Sequence, residues 1–257
     1  MITQTLERSG VLGSLSSEFF NPAWERDLSL THHCVLWREY LDCHALPAGT
    51  TPNGVFGWKQ NGEYLPYLLW KLRRNEPDSA GLDDLALLQK VFPGLDPNTS
   101  FIYIWRRKLL MQAASRVIAE TSGRWVSQDV ATAEPKFNLD LLKNAYFLIM
   151  KEHADWQNWF KLNGITPLCL NYEDVVADPW LLRGVFEHVG IECPPDAILK
   201  PSCRKQRTSL NHDWVKRFRR LLEEQFAFAF PELLDEPRFL WQRRRPCPRK
   251  AFIVERL

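Results

Sequence analysis

The chain predicts an α/β fold, a mostly parallel sheet with helices on both faces. Three observations carry that reading. Short apolar runs at Val55–Trp58, Phe101–Trp105 and Thr166–Asn171 have the length and composition of buried strands. Segments of helical period lie between them. Gly, Pro and Asn clusters mark the joints. The Leu-rich helices would also suit an all-α bundle, but the strand-like runs argue against it.

The elements follow in order. Residues 1–8 read as a broken helix, and Gly10–Asn21 as a polar loop ending in Glu18-Phe19-Phe20. Val35–Leu46 has a helical period. Pro52-Asn53-Gly54 is a turn leading into Val55–Trp58. Tyr67–Arg73 and Leu82–Val91 read as helices. Pro93-Gly94 and Asp96-Pro97-Asn98 break the chain before the Phe101 strand. Leu139–Leu162 is a long amphipathic helix, with Leu141, Leu142, Ala145, Leu148, Ile149, Trp156 and Trp159 on a broad face. Asp178 caps a helix that has Pro179 at its first position and Gly190 just past its end. Trp214–Phe226 is the last helix. Residues 1–240 are expected to form one domain, and 241–257 a basic C-terminal tail.

Composition narrows the function classes. A net charge of +2 gives no whole-chain reason to expect nucleic acid. The six cysteines show no Cys-x-x-Cys spacing, so neither zinc nor a redox dithiol is implied. Free thiols in a reducing cytoplasm are the simplest account. The histidines have no metal-ligand spacing. No uninterrupted apolar run is long enough to span a bilayer. Arg243-Arg244-Arg245-Pro246-Cys247-Pro248-Arg249-Lys250 reads as a solvated, flexible tail, with contact to anionic lipid or nucleic acid left open, though no interleaved aromatics support RNA binding.

Phe101–Trp125 carries the chemical signal. The apolar run ends in Arg106-Arg107, and a helical segment with Gln112 and Ser115 follows. Cations at the carboxyl end of a strand, followed by the free N–H groups of a helix start, can hold an anion. Spacing alone favours a buried strand followed by a surface basic turn.

The segment resembles the nucleotide 3′-phosphate motif of the bacterial sulfotransferase family typified by trehalose 2-sulfotransferase. The match reads Arg106, Gln112-Ala113-Ala114-Ser115, Thr121 and Trp125. Other pieces resemble the family in its own order. They are Ser9-Gly10-Val11-Leu12-Gly13 with Glu18-Phe19-Phe20, then Thr51–Gly57 with Lys59. Trp156-x-x-Trp159-Phe160 with Tyr172-Glu173-Asp174 comes next, and last Lys205-Gln206 with Trp214 and Arg217–Arg220. The resemblance implies a P-loop-containing nucleotide hydrolase-like sulfotransferase fold. The family opens with a strand and a phosphate-cradling turn of the type Arg-Ser-Gly-Ser-Thr, which would lie immediately before Met1. A strand near the sheet centre is therefore expected to be lacking, leaving its neighbours' backbone groups unpaired.

The resemblance implies sulfuryl transfer from 3′-phosphoadenosine 5′-phosphosulfate, the co-substrate, without a metal. Glu18 would be the general base, with Phe19 and Phe20 lowering local polarity and raising its pKa. Lys59 would face the phosphosulfate or the acceptor. Arg106 and Ser115 would hold the 3′-phosphate, through a planar pair of donors and a short hydroxyl. Lys205 and Gln206 would lie beside the nucleotide. The acceptor would be a small molecule, a carbohydrate or a glycolipid, and a homodimer is compatible. Two alternatives stay open: a catalytically inactive binding or scaffold protein without the phosphosulfate loop, and an anion-binding adaptor using the basic tail.

Overall fold

A computed structural model describes residues 2–31, 33–34, 36–76, 78–92, 99–125, 129–195, 197, 199, 209–225 and 251–255. They form a mixed α/β structure with a small parallel sheet and many helices. The chain divides into two compact units, one from residues 1–105, 155–202 and 245–256, the other from 106–154 and 203–244 with residue 257.

The first unit holds the sheet. Its helices are α1 (Ile2–Glu7), α2 (Pro22–Thr31), α3 (Trp37–Tyr40), α4 (Leu46–Gly49), α5 (Leu65–Asn75) and α6 (Asp84–Val91). Strand β1 (Ser100–Trp105) follows, leading to α7 (Leu109–Ser122) and α8 (Leu139–Leu162). Then come β2 (Leu168–Asn171), α9 (Tyr172–Ala177), α10 (Arg183–Val189), α11 (Ser209–Gln225) and β3 (Ala251–Glu255).

The sheet order among the described residues is β2-β1-β3, with both pairings parallel. Strand β1 sits in the middle, and its alternation explains how the unit is layered. Phe101 and Tyr103 join a core with Trp156, Trp159, Phe160, Leu87 and Phe92. Ile102 and Ile104 join a second core with Ile2, Leu6, Val185 and Phe186. Successive side chains of a strand point to opposite faces, so β1 is buried on both. That is why its sequence is continuously apolar.

Three expectations need correction. The edge of β1 is not left unpaired, because Ala251–Glu255 pairs with it over five positions, from Ser100↔Ala251 to Ile104↔Glu255. This segment was expected to be tail. Residues 243–250 lie outside the described residues. Secondly, Val55–Trp58 is no ladder strand. It makes one antiparallel bridge, Thr50↔Phe56, and its backbone also bonds Thr51 and Gly49 at the end of α4. Thirdly, α2 was not foreseen. Glu25 is its only buried residue, so it lacks the apolar stripe that announces a helix.

The second unit packs α7, the N-terminal part of α8 and α11 around Leu110, Ala113, Val117, Leu142, Tyr146, Ile149, Trp214 and Phe218. Gly123, in the left-handed region at φ 69°, ends α7.

Candidate active site

Glu18 is placed by two loops that touch through glycine. Gly13 has φ +82°, and a Cβ there would lie 2.3 Å from Gly57 N and 2.8 Å from Gly49 O. A Cβ on Gly57 would lie 2.5 Å from the Leu12 carbonyl oxygen. Only glycine at both positions permits this approach. Backbone bonds then lock it: Gly57 N–H donates to Gly49 O at 3.1 Å, and Lys59 N–H to Ser17 O at 3.0 Å. The serine loop is tied to α1, because Ser14 Oγ donates to Glu7 Oε1 at 2.8 Å and Ser16 Oγ bonds Glu7 Oε2.

This frame brings together two of the residues expected at the site. Lys59 Nζ forms an ion pair with Glu18 Oε1. The lysine side chain keeps 7% of its exposure and the glutamate 13%. Asn21 Nδ2 donates to Glu18 Oε2 at 2.9 Å, and Asn61 also bonds the carboxylate. Below them Phe19 and Phe20 are buried, with Phe20 edge-on to Trp58 at 5.1 Å.

The electrostatics differ from expectation. Burial alone pushes the Glu18 carboxyl up, but the Lys59 charge and the bonds from Lys59, Asn21 and Asn61 outweigh it. The carboxyl lies below its ordinary value of 4.5. Phe19 and Phe20 turn inward to the core, and burial remains the largest single influence on the carboxyl, outweighed only by the others together. Asn21 and Asn61 were missed by sequence reasoning. Asn21 stands one turn from Glu18, and that spacing was the available signal.

The second unit holds the other expected anchors. Arg106 and Arg107 are half-buried at the end of β1, and Lys108 is exposed as the N-cap of α7. The N-cap side chain makes no capping bond; Leu109 N–H already donates to Arg107 O at 3.0 Å, and the Leu110 and Met111 N–H groups follow it beside a basic turn. That arrangement fits a nucleotide phosphate. Ser115 lies on the second turn of α7. Its hydroxyl donates to Met111 O at 2.9 Å and accepts from Asn211 Nδ2 at 3.1 Å. Lys205 and Gln206 lie outside the described residues. Among the described residues no cluster of His, Cys, Asp and Glu could hold a metal, and no helix is long and apolar enough to cross a membrane.

Residues 13–221 match the family described as Stf0 sulphotransferase. The chain is similar to trehalose 2-sulfotransferase of Mycolicibacterium smegmatis, 27% identical over 193 residues, covering 72% of this chain and 67% of that protein. It is also similar to trehalose 2-sulfotransferase of Mycobacterium tuberculosis, 24% identical over 192 residues with the same coverage. The paired glycine loops, the Glu18–Lys59 pair and the basic start of α7 fall within the matched span, and this chain belongs to the Stf0 sulphotransferase family.

Proposed function

We propose that the chain transfers a sulfuryl group from 3′-phosphoadenosine 5′-phosphosulfate to a hydroxyl of a carbohydrate or glycolipid-like acceptor. The observation that carries this reading is the shielded Glu18–Lys59 pair, set in the two glycine-locked loops. When bound, the donor supplies an activated sulfur whose bond to the bridging phosphate oxygen breaks as the acceptor oxygen bonds to it. Glu18 accepts the acceptor's proton. It is ionised at neutral pH because Lys59 and the two asparagines favour the carboxylate. An anion that draws the Lys59 ammonium away raises the proton affinity of Glu18, since burial is then opposed only by the Asn21 and Asn61 bonds. Arg106 and the start of α7 hold the 3′-phosphate, with Lys205 and Gln206 beside the nucleotide. The four described cysteines, Cys34, Cys43, Cys169 and Cys193, are in no disulfide, which suits a reducing compartment.

A second reading is a non-catalytic relative that keeps the fold. The bonding of Ser115 favours it, because both its proton and a lone pair are already used inside the unit. Transfer of labelled sulfate from the donor to sugars and alkyl glycosides separates the two. Under the first reading Glu18→Gln lowers the rate by about 10²–10⁴-fold. No transfer by folded wild-type chain to any hydroxylated acceptor supports the second.

A further inference from the structure

Glu18 stands in a turn whose backbone is held at three successive carbonyls. Ser17 O accepts from Lys59 N–H at 3.0 Å, and Glu18 O accepts from Asn21 N–H at 2.9 Å. Phe19 O accepts from the Tyr40 hydroxyl at 2.7 Å, from 21 residues further along the chain. Lys59 thus holds the peptide before Glu18, Asn21 the one after it, and Tyr40 the one beyond. Asn21 belongs to the same turn and moves with it. Lys59 and Tyr40 are the two anchors that come from outside the turn, and of the three bonds only that of Tyr40 is made by a side chain.

The surroundings of Tyr40 suit an anchor. It is 1% exposed and closes α3, which runs on into a π-helical turn at Leu41–Ala45. Its ring stacks on Trp37 at 5.8 Å. The turn that follows adds a second contact to the same residue. The His44 ring lies edge-on to Phe19 at 6.1 Å and 5.6 Å from the Tyr40 ring. Tyr40 and His44 are four residues apart, so one side of this helical segment meets Phe19 at both its carbonyl and its ring. Burial pushes the Tyr40 hydroxyl above its ordinary value of 10, with Cys34 and Tyr67 adding to the rise, so the group stays a donor.

Position matters at Glu18 because its two oxygens have different partners. Lys59 Nζ bonds Oε1 and Asn21 Nδ2 bonds Oε2. The carboxylate meets both only while the turn keeps its shape. A buried carbonyl that loses its donor is costly, and the Phe19 peptide would turn to find another.

We propose that Tyr40 is a positioning residue for Glu18. Its hydroxyl, donating to the Phe19 carbonyl, fixes the turn that presents the carboxylate to Lys59 and to the acceptor hydroxyl. The acceptor part rests on the sulfuryl-transfer reading, and the hold on the Glu18–Lys59 pair does not.

The test is carboxyl carbon NMR of the full chain, with Glu18→Gln assigning the Glu18 signal. In Tyr40→Phe the Lys59 pair loosens and the Glu18 titration midpoint moves up by about half a pH unit or more, because burial meets weaker opposition. Tyr40→Met fills the same space without a donor and gives the same rise, also where Tyr40→Phe does not fold. Tyr67→Phe removes a hydroxyl that bonds Glu25 rather than the turn, and it leaves the Glu18 midpoint in place. In transfer assays kcat of Tyr40→Phe falls by about tenfold or more while KM for the phosphosulfate donor is unchanged. A tyrosine that only supports the core would lower the thermal midpoint and leave Glu18 alone. An unmoved Glu18 midpoint in a folded Tyr40 variant, or an equal rise in Tyr67→Phe, overturns the proposal. The predicted rise together with no transfer by wild type overturns the transfer reading and leaves the hold on the pair standing.

Discussion

Lys59 neutralises Glu18 inside a closed pair, and the two side chains keep only 7% and 13% of their exposure. The pair sets the protonation of the proposed base. Burial pushes the carboxyl up, and Lys59 is the chief influence pulling it below 4.5. Lys59→Met therefore raises the Glu18 pKa, with the Asn21 and Asn61 bonds still opposing burial. The acid limb of the transfer rate against pH moves upward in this variant, and an unmoved limb would show that Lys59 does not govern Glu18. The sign for stability is separate. A depressed carboxyl contributes stability above about pH 4.5, lost as pH falls through the folded value.

Gly13 and Gly57 support that pair without touching it. Gly13→Ala forces a side chain into positive φ and against Gly57 N at 2.3 Å. Denaturant unfolding should show a loss of about 2 kcal/mol or more. Alanine at Gly54, which also has positive φ but meets nothing within 4 Å, loses less. Equal losses at the two sites would mean that the loop contact carries no energy.

Strand β3 protects one edge of β1. Ile253→Pro removes a backbone donor opposite Ile102 and lowers the thermal midpoint by about 2–4 °C for each kcal/mol lost. Deleting residues 251–257 exposes that edge and lowers soluble yield. A truncated chain as stable as the parent would exclude β3 from the sheet.

His153 is 2% exposed, and burial pushes it down from 6.5 to about 4. The folded chain then binds fewer protons than the unfolded chain below pH 6.5. Stability falls as pH drops from 6.5 to 4, by at most about 3 kcal/mol. His153→Gln flattens this part of the curve in urea titrations between those pH values. An unchanged slope would assign the acid sensitivity to other groups.

Much of this was legible in the chain. Leu139–Leu162 declared its helix through a long apolar face, and it spans those same residues in the structure. Phe101–Trp105 declared a strand buried on both faces. Asp178, Pro179 and Gly190 marked their capping roles correctly, although a 3₁₀ turn at Pro179–Leu182 precedes α10. Strand β3 was hidden because Ala251–Glu255 follows a run of Arg and Pro, and its partner is some 150 residues away. Local pattern carries no information about such a pairing. Glu18 and Lys59 were chosen singly. Their pairing depends on two glycines in separate loops, and spacing within one loop cannot reveal it.

The most direct test of sulfuryl transfer is calorimetric titration of the 257-residue chain with 3′-phosphoadenosine 5′-phosphate. The account predicts micromolar binding, about −8 kcal/mol, that disappears in Arg106→Ala while the variant stays folded. No binding by folded wild-type protein, or equal binding by Arg106→Ala, would contradict it.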